Sequence, residues 1–427
     1  MVKRAITLGG GGPAAGLHIG VLEALAAAGI TFDVWALSCI GAWVGVVYNQ
    51  FGDEKKKVEN KDRAELTYQF FKNGVFRDDE SYERFPINTV FGPDWRSNIK
   101  ALNNFVTDPD NYKDFLWDPY KMMDVFQDSM QLVSNQLPRK KKKFKKLDEG
   151  DFNRWILNQA MAPNPFVRYF TSMMYLSNVN GLSRINYPES EFMKGIDFDE
   201  LEKQEKPAIF HNAWNLDEKR LALFSNRKMT NTKEYKGSID ARSLCACSAL
   251  PFIEGTVEID GVTYCEGALV DTVNFWSLLE EHDKPEDKLD EIWVSRIVDS
   301  KQVRKPENLH DALANLCQLF AATVGEDDVN LFKYHVRYDN PGTGKEWNGT
   351  LVEIHVPGHI NFKWNHSNLD NGRELGRVSA LHAIDSYHKH KDDPHEGKPL
   401  FINEHPERDP NWGELRRYYE RLKQAAA

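Results

Sequence analysis

The first fifty positions alternate between short apolar runs and helical stripes. Arg4 to Leu8 predicts a strand, and Gly9 to Gly12 must form a loop. Leu17, Val21, Leu22, Leu25 and Ala28 recur at helical spacing, with Gly29 as a C-terminal stop. Thr31 to Leu37 predicts a second buried strand. Gly41 to Tyr48 is apolar nearly all round, as expected of a helix that starts just after residue 40 and is sunk into a core. Two strands with a helix between them make the βαβ unit of a parallel sheet.

Further strand signals lie at Ala208 to Phe210, Leu221 to Phe224, Thr256 to Ile259, Val262 to Cys265 and Glu291 to Ile297. Asp260-Gly261 between two of these runs predicts a tight hairpin. Beyond residue 300 the spacing predicts helices around Leu309 to Val324 and Leu369 to His390. It also predicts a strand pair, Lys333 to Tyr338 with Thr350 to Val356, and a polar helix over Pro406 to Ala427. Between about Gly52 and Leu147 the chain is charged and aromatic with interrupted helical patterns, which reads as an insertion or lid. No internal repeat is evident.

With 427 residues, 41% hydrophobic and 28% charged, the chain is long enough for one large α/β domain with insertions or for two domains. It lacks any run of 18 apolar residues, so no membrane-spanning helix is expected. The apolar stretch before Gly9 is too short for a signal-peptide core, and five cysteines do not make a disulfide framework; both favour a cytoplasmic setting. A net charge of -10 disfavours nucleic acid as a partner. Arg139 to Lys146, basic throughout except for Phe144, is either a solvated loop or a site of peripheral contact with an anionic membrane.

Three constellations carry candidate chemistry. Leu8-Gly9-Gly10-Gly11-Gly12-Pro13, at a strand-to-helix junction, can aim backbone N–H groups at developing negative charge. A dinucleotide site is disfavoured because Ala14 stands where G-x-G-x-x-G places its third glycine, and no Gly-Lys-Ser/Thr follows for a Walker loop. Leu37-Ser38-Cys39-Ile40-Gly41 lies where a sharp strand-to-helix turn presents a nucleophile. Cys39 is the better centre, since Gly41 then occupies a small-residue position; a buried structural cysteine is the alternative. Cys265-Glu266-Gly267-Ala268 puts an acid at a strand end, suited either to a general base or to an exposed turn.

Together these segments resemble the patatin-like phospholipase family, closely over Gly9 to Leu25, Val34 to Val47 and Ala246 to Asp271. In that family a glycine-rich loop forms the oxyanion hole, G-x-S-x-G presents a serine, and a distant D-G-G/A supplies the aspartate of a dyad. The resemblance implies a three-layer α/β/α core with a mostly parallel sheet. The expected organisation is a catalytic core over residues 1–300, with a helical insertion at about 52–150, and an α+β extension over 301–427 packed on it.

By the same resemblance Cys39 is the nucleophile, Glu266 the base, and Gly10, Gly11 and Gly12 the oxyanion donors. Gly41, Gly267 and Asp271 are supporting, with Asp271 holding the loop after Gly267. Four positions depart from the family pattern: Cys39 for serine, Glu266 for aspartate, Leu37 for the first elbow glycine and Ala14 for an arginine. A free thiol is already about 3% ionised at pH 7, so it asks less of its base than a hydroxyl. Full proton transfer from such a thiol to an ordinary glutamate is still uphill by roughly 6 kcal/mol. The longer Glu266 side chain leaves room for a water between the two groups.

The expected activity is acyl hydrolysis or transfer on lipid esters, phospholipid included. Acyl-CoA or acyl-carrier thioester chemistry, and a silent acyl or lipid binder, are the alternatives. Neither a cofactor nor a metal is expected: Cys245, Cys247 and Cys265 read as core thiols, His355 with His359 and the His388, His390, His395 group as incidental, and His18 as a packed residue.

Overall fold

The computed structural model describes residues 2–52, 60–84, 95–107, 181–183, 188–230, 232–296, 303, 305–306, 309–339, 346–358, 361, 363–395, 397–409, 411–415 and 417. Its chain divides into two compact units, Met1–Gly92 with Ser183–Ala427, and Pro93–Leu182. In the second unit the helix Trp95–Thr107 carries Ile99, Leu102 and Val106 on its exposed side. The basic run Arg139 to Lys146 lies outside the described residues.

The first unit is built on a ten-stranded sheet. In chain order the strands are β1 (Arg4–Leu8), β2 (Val34–Leu37), β3 (Ala208–Asn215), β4 (Arg220–Ser225), β5 (Tyr235–Gly237), β6 (Val257–Ile259), β7 (Val262–Glu266), β8 (Glu291–Arg296), β9 (Thr350–His355) and β10 (Leu400–Ile402). The main path runs β10-β9-β8-β1-β2-β3-β4-β5, and β7 pairs with β3 and β6 off that path. From β10 to β3 every pairing is parallel, whereas β3 meets β4 and β7 antiparallel. The α/β class with a mostly parallel sheet is therefore as expected.

Both faces of this sheet are covered, which is why its central strands are apolar on both sides. Ile6 and Leu8 of β1 and Trp293 of β8 join one core. Ala5, Ile292 and Val294 face the other, beside Phe275 and Leu278 of α5 (Phe275–Glu281) and Val329 and Phe332 of α6 (Leu309–Tyr334). The first face carries α1 (Ala15–Ala27), α2 (Ile40–Gln50), α3 (Asn60–Gly74), α4 (Ala241–Cys247) and α7 (His366–His390). Val262 follows Ile259 across the expected tight turn, with Asp260 and Gly261 both at positive φ.

One prediction fails. Lys333 to Tyr338 is not a strand: α6 continues to Tyr334 and passes into a π-helical turn, His335–Asp339. The alternation of polar and apolar residues there was misleading, because Phe332 and Val336 are one helical turn apart and both are buried. No proline lies between Leu309 and Pro341, so nothing there breaks the helix. Thr350 to His355 does form a strand, β9.

Glycine contacts, not apolar stripes, set how α7 crosses α1. A Cβ at Gly20 would lie 1.8 Å from the Arg373 carbonyl oxygen, and one at Gly376 would lie 2.0 Å from that of Leu17. The backbones touch, which locks the helix that follows the glycine loop. Gly376→Ala should therefore destabilise the protein by about 3 kcal/mol through overpacking, despite alanine's better helix propensity. A chemical-denaturation midpoint equal to that of Leu381→Ala, a change on the exposed side of the same helix, would show that the crossing can relax.

Candidate active site

The parallel pairing of β1 with β2 sets Leu8 opposite Leu37, so the glycine loop and the turn at Cys39 leave the sheet side by side. Ser38 N–H donates to the Leu8 carbonyl at 2.9 Å. The first turn of α2 then passes over that carbonyl: a Cβ at Gly41 would stand 2.2 Å from Leu8 O and 2.8 Å from Gly9 O. Only glycine permits this approach. Cys39, the residue before the helix, sits at φ 48° and ψ -123°, a conformation that costs a side-chain-bearing residue on the order of 1–3 kcal/mol. That strained residue joins the end of β2 to the start of α2.

Glu266 arrives from the other direction, at the end of β7, with Ala213 of β3 as its register partner. Its N–H donates to the Ala249 carbonyl. Gly267 then turns the chain where a Cβ would meet Asn212 Oδ1 at 2.6 Å. The three expected segments converge at Gly10: a Cβ there would lie 3.0 Å from Cys39 Cβ, 3.1 Å from Ala268 Cβ and 3.6 Å from Glu266 Oε1.

Glu266 is 6% exposed, and burial pushes its carboxyl up to about 7 against the opposing pull of a hydrogen bond from the Cys39 thiol. The thiol is held well above its ordinary range by burial first, then by the charge of Glu266 and by Cys247, while the Ile40 N–H acts in the opposite sense. The resting pair is thus a neutral thiol beside a half-ionised carboxyl, not a thiolate ion pair. Cys247 in turn directs its thiol at the Cys39 carbonyl, 3.8 Å away.

Ser38 is no rival nucleophile. Its hydroxyl is fully buried within reach of Asn212 Oδ1 (3.2 Å) and the Asp271 carbonyl (3.4 Å), and it accepts from Asn274 Nδ2 at 2.9 Å. Leu37 is accommodated at the first elbow position because Gly45, in the second turn of α2, leaves space for it: a Cβ there would lie 2.6 Å from Leu37 Cδ1. Asp271 accepts from the Val273 and Asn274 N–H groups at 3.1 and 2.6 Å, which fixes the loop after Gly267. Burial raises its carboxyl, and Asp328, which accepts from Thr272 N–H at 2.7 Å, is pushed up to about 7 by burial and then by the Asp271 charge.

Of the expected donor glycines, Gly10 is the one that adjoins Cys39 and Glu266, and Gly12 stands at φ 57° just before α1. Sequence reasoning missed Ile40, whose N–H points at the Cys39 sulfur from the first position of α2. It follows from the turn itself, since the residue after an elbow nucleophile has a free helix N-terminal donor. Asn212 and Asn274, which brace Ser38, were also missed. His18 is fully buried, with Nε2 2.9 Å from the Gly9 carbonyl and Nδ1 3.1 Å from Ser295 Oγ.

Among the described residues no group of His, Cys, Asp and Glu is arranged to hold a metal ion. Cys245, Cys247 and Cys265 are buried and form no disulfide, His390 pairs with Asp393, and His359 lies outside the described residues. Nor is any described helix long and apolar enough to cross a membrane.

A family model described as Patatin-like phospholipase matches residues 6–279, more than half of the chain. Among solved structures the chain is similar to one titled as the crystal structure of VipD from Legionella pneumophila. That match has 14% sequence identity and a TM-score of 0.35, and it covers 90% of this chain and 67% of that one. No curated protein matches.

Proposed function

Because the chain belongs to the patatin-like phospholipase family, we propose that it is a lipid acyl hydrolase or acyltransferase working through a thioester on Cys39. The observation that carries this reading is the convergence of Cys39, Glu266 and Gly10 at one point. The Cys39 sulfur attacks the acyl carbonyl as its proton passes to Glu266. Gly10, Gly11, Gly12 and Ile40 N–H groups receive the oxyanion. Collapse expels the alcohol, which takes the proton from Glu266 and leaves a Cys39 thioester. Water, or another acceptor, then attacks that carbonyl, giving its proton to Glu266, and the sulfur departs and regains a proton.

A carboxyl near 7 is a better base than an ordinary glutamate, but the thiol it serves has been raised as well. Proton transfer is therefore expected to accompany carbon–sulfur bond formation and not to precede it. The thiol also supports a second reading, in which the donor is itself a thioester such as acyl-CoA, because exchange between two thiols is nearly balanced in energy.

Brief exposure of the protein to a phospholipid, a simple acyl ester and an acyl-CoA, followed by intact-protein mass measurement, tests the proposal. One acyl group of added mass, or free fatty acid release, is expected with the esters. Adduct from acyl-CoA alone would select the thioester reading. Retention of lipid with neither adduct nor product would leave a silent binder.

A further inference from the structure

Among buried titratable groups outside the dyad, His18 stands out because both of its ring nitrogens are used, and used next to the pocket. We infer that His18 is a positioning residue: its Nε2–H holds the Gly9 carbonyl so that the Gly10 N–H is aimed at the oxyanion formed on Cys39. This inference rests on the acyl-transfer reading above.

A carbonyl oxygen can only accept, so the 2.9 Å contact with Gly9 O requires the proton on Nε2. The neutral ring then has a bare Nδ1, which accepts from the Ser295 hydroxyl at 3.1 Å. Burial supports the neutral form, holding the imidazole down to about 4. Ser295 is fixed by β8, where it pairs in register with Leu8, the last residue before the loop. A chain of two hydrogen bonds thus ties the loop to a central strand.

The geometry of the peptide unit supplies the consequence. No cis peptide bond occurs among the described residues, and in a trans unit the C=O and N–H point in opposite directions. Fixing the Gly9 carbonyl on His18 therefore fixes the Gly10 N–H on the opposite side. Gly10 is the loop residue that adjoins Cys39 and Glu266. Thr272 Cγ2 backs Gly9 so closely that a Cβ there would lie 2.9 Å from it, which limits other orientations of the loop. A histidine serving only as filler would need neither partner.

Two variants separate positioning from packing. His18→Phe keeps the ring and removes the donor; His18→Gln restores an N–H that can reach the same carbonyl. For ester turnover, His18→Phe should lower kcat by about 10- to 100-fold with KM within about threefold, and His18→Gln should recover most of the loss. Alkylation of Cys39 by iodoacetamide, which forms no oxyanion, should proceed at the wild-type rate in both. Equal kcat in folded His18→Phe, or a parallel fall in alkylation, overturns the inference. Absence of acyl transfer in the unaltered protein counts against the function itself and not against this step. In that case, or if His18→Phe does not fold, the 15N shifts of the wild-type ring decide. Protonated Nε2 with bare Nδ1 supports the inference; the opposite tautomer ends it.

Discussion

Cys39→Ala should erase the acyl adduct and lower ester turnover by about 10⁴-fold or more, while the protein remains folded. The large effect follows from the lack of a substitute nucleophile. Ser38, the adjacent hydroxyl, is held by Asn212, Asp271 and Asn274 on the far side of the turn. The Cys39 side chain is 9% exposed, and alanine keeps its Cβ. The loss is confined to one buried sulfur, a cost of about 1–2 kcal/mol in stability. Intact mass after exposure to the preferred donor, with product release read in the same samples, gives the result. An adduct that persists in the variant, or turnover within tenfold of wild type, would remove Cys39 from the chemistry. Cys39→Ser is the informative companion. Its hydroxyl must be deprotonated by a carboxyl near 7, a step far more uphill than for a thiol, so its activity should lie well below wild type even though it restores the family's usual nucleophile.

The parts of the site that were legible in the sequence are those in which a local conformation demands a particular residue. Four glycines after a strand, a small residue two positions beyond Cys39, and Asp-Gly between two strands each encode a turn within a few residues, and each turn is present. What lies between distant segments was not legible. Gly20 and Gly376 are unremarkable helical glycines until α7 is laid across α1. The orientation of His18 depends on Ser295, 277 positions away. Leu37 looked like a departure from a glycine requirement, yet the missing space is supplied by Gly45 within the next helix. Lys333 to Tyr338 failed for a related reason: period-two alternation over six residues cannot be told from a helical stripe unless the length of the preceding helix is known.

Glu266→Gln should produce the other large change, and its pH dependence is more diagnostic than its size. Gln keeps the shape and can still face the thiol but cannot take a proton, so kcat/KM should fall by about 10²- to 10⁴-fold, the range expected for loss of a general base. In the unaltered protein the active form needs Glu266 ionised. Its kcat/KM should thus fall about tenfold per pH unit below about 7 and level off above. In Glu266→Gln that bend should vanish, and the residual rate should climb with pH into the alkaline range as the thiol itself ionises. Stability supplies an independent check with a definite sign. The folded protein keeps the Glu266 proton up to about 7, whereas an ordinary glutamate loses it near 4.5. The folded state therefore binds the proton more tightly. Its contribution to stability is fully present below about 4.5 and is lost as pH rises through about 7, amounting to about 3 kcal/mol. Gln has no such loss, so the variant should gain about 3 kcal/mol relative to wild type between pH 4.5 and pH 8. Groups whose titration does not depend on the Glu266 charge, Asp328 among them, cancel in that difference. Urea denaturation of both proteins at several pH values measures it, and parallel stability curves would mean that Glu266 is not the buried, proton-holding carboxyl on which the proposed base chemistry depends.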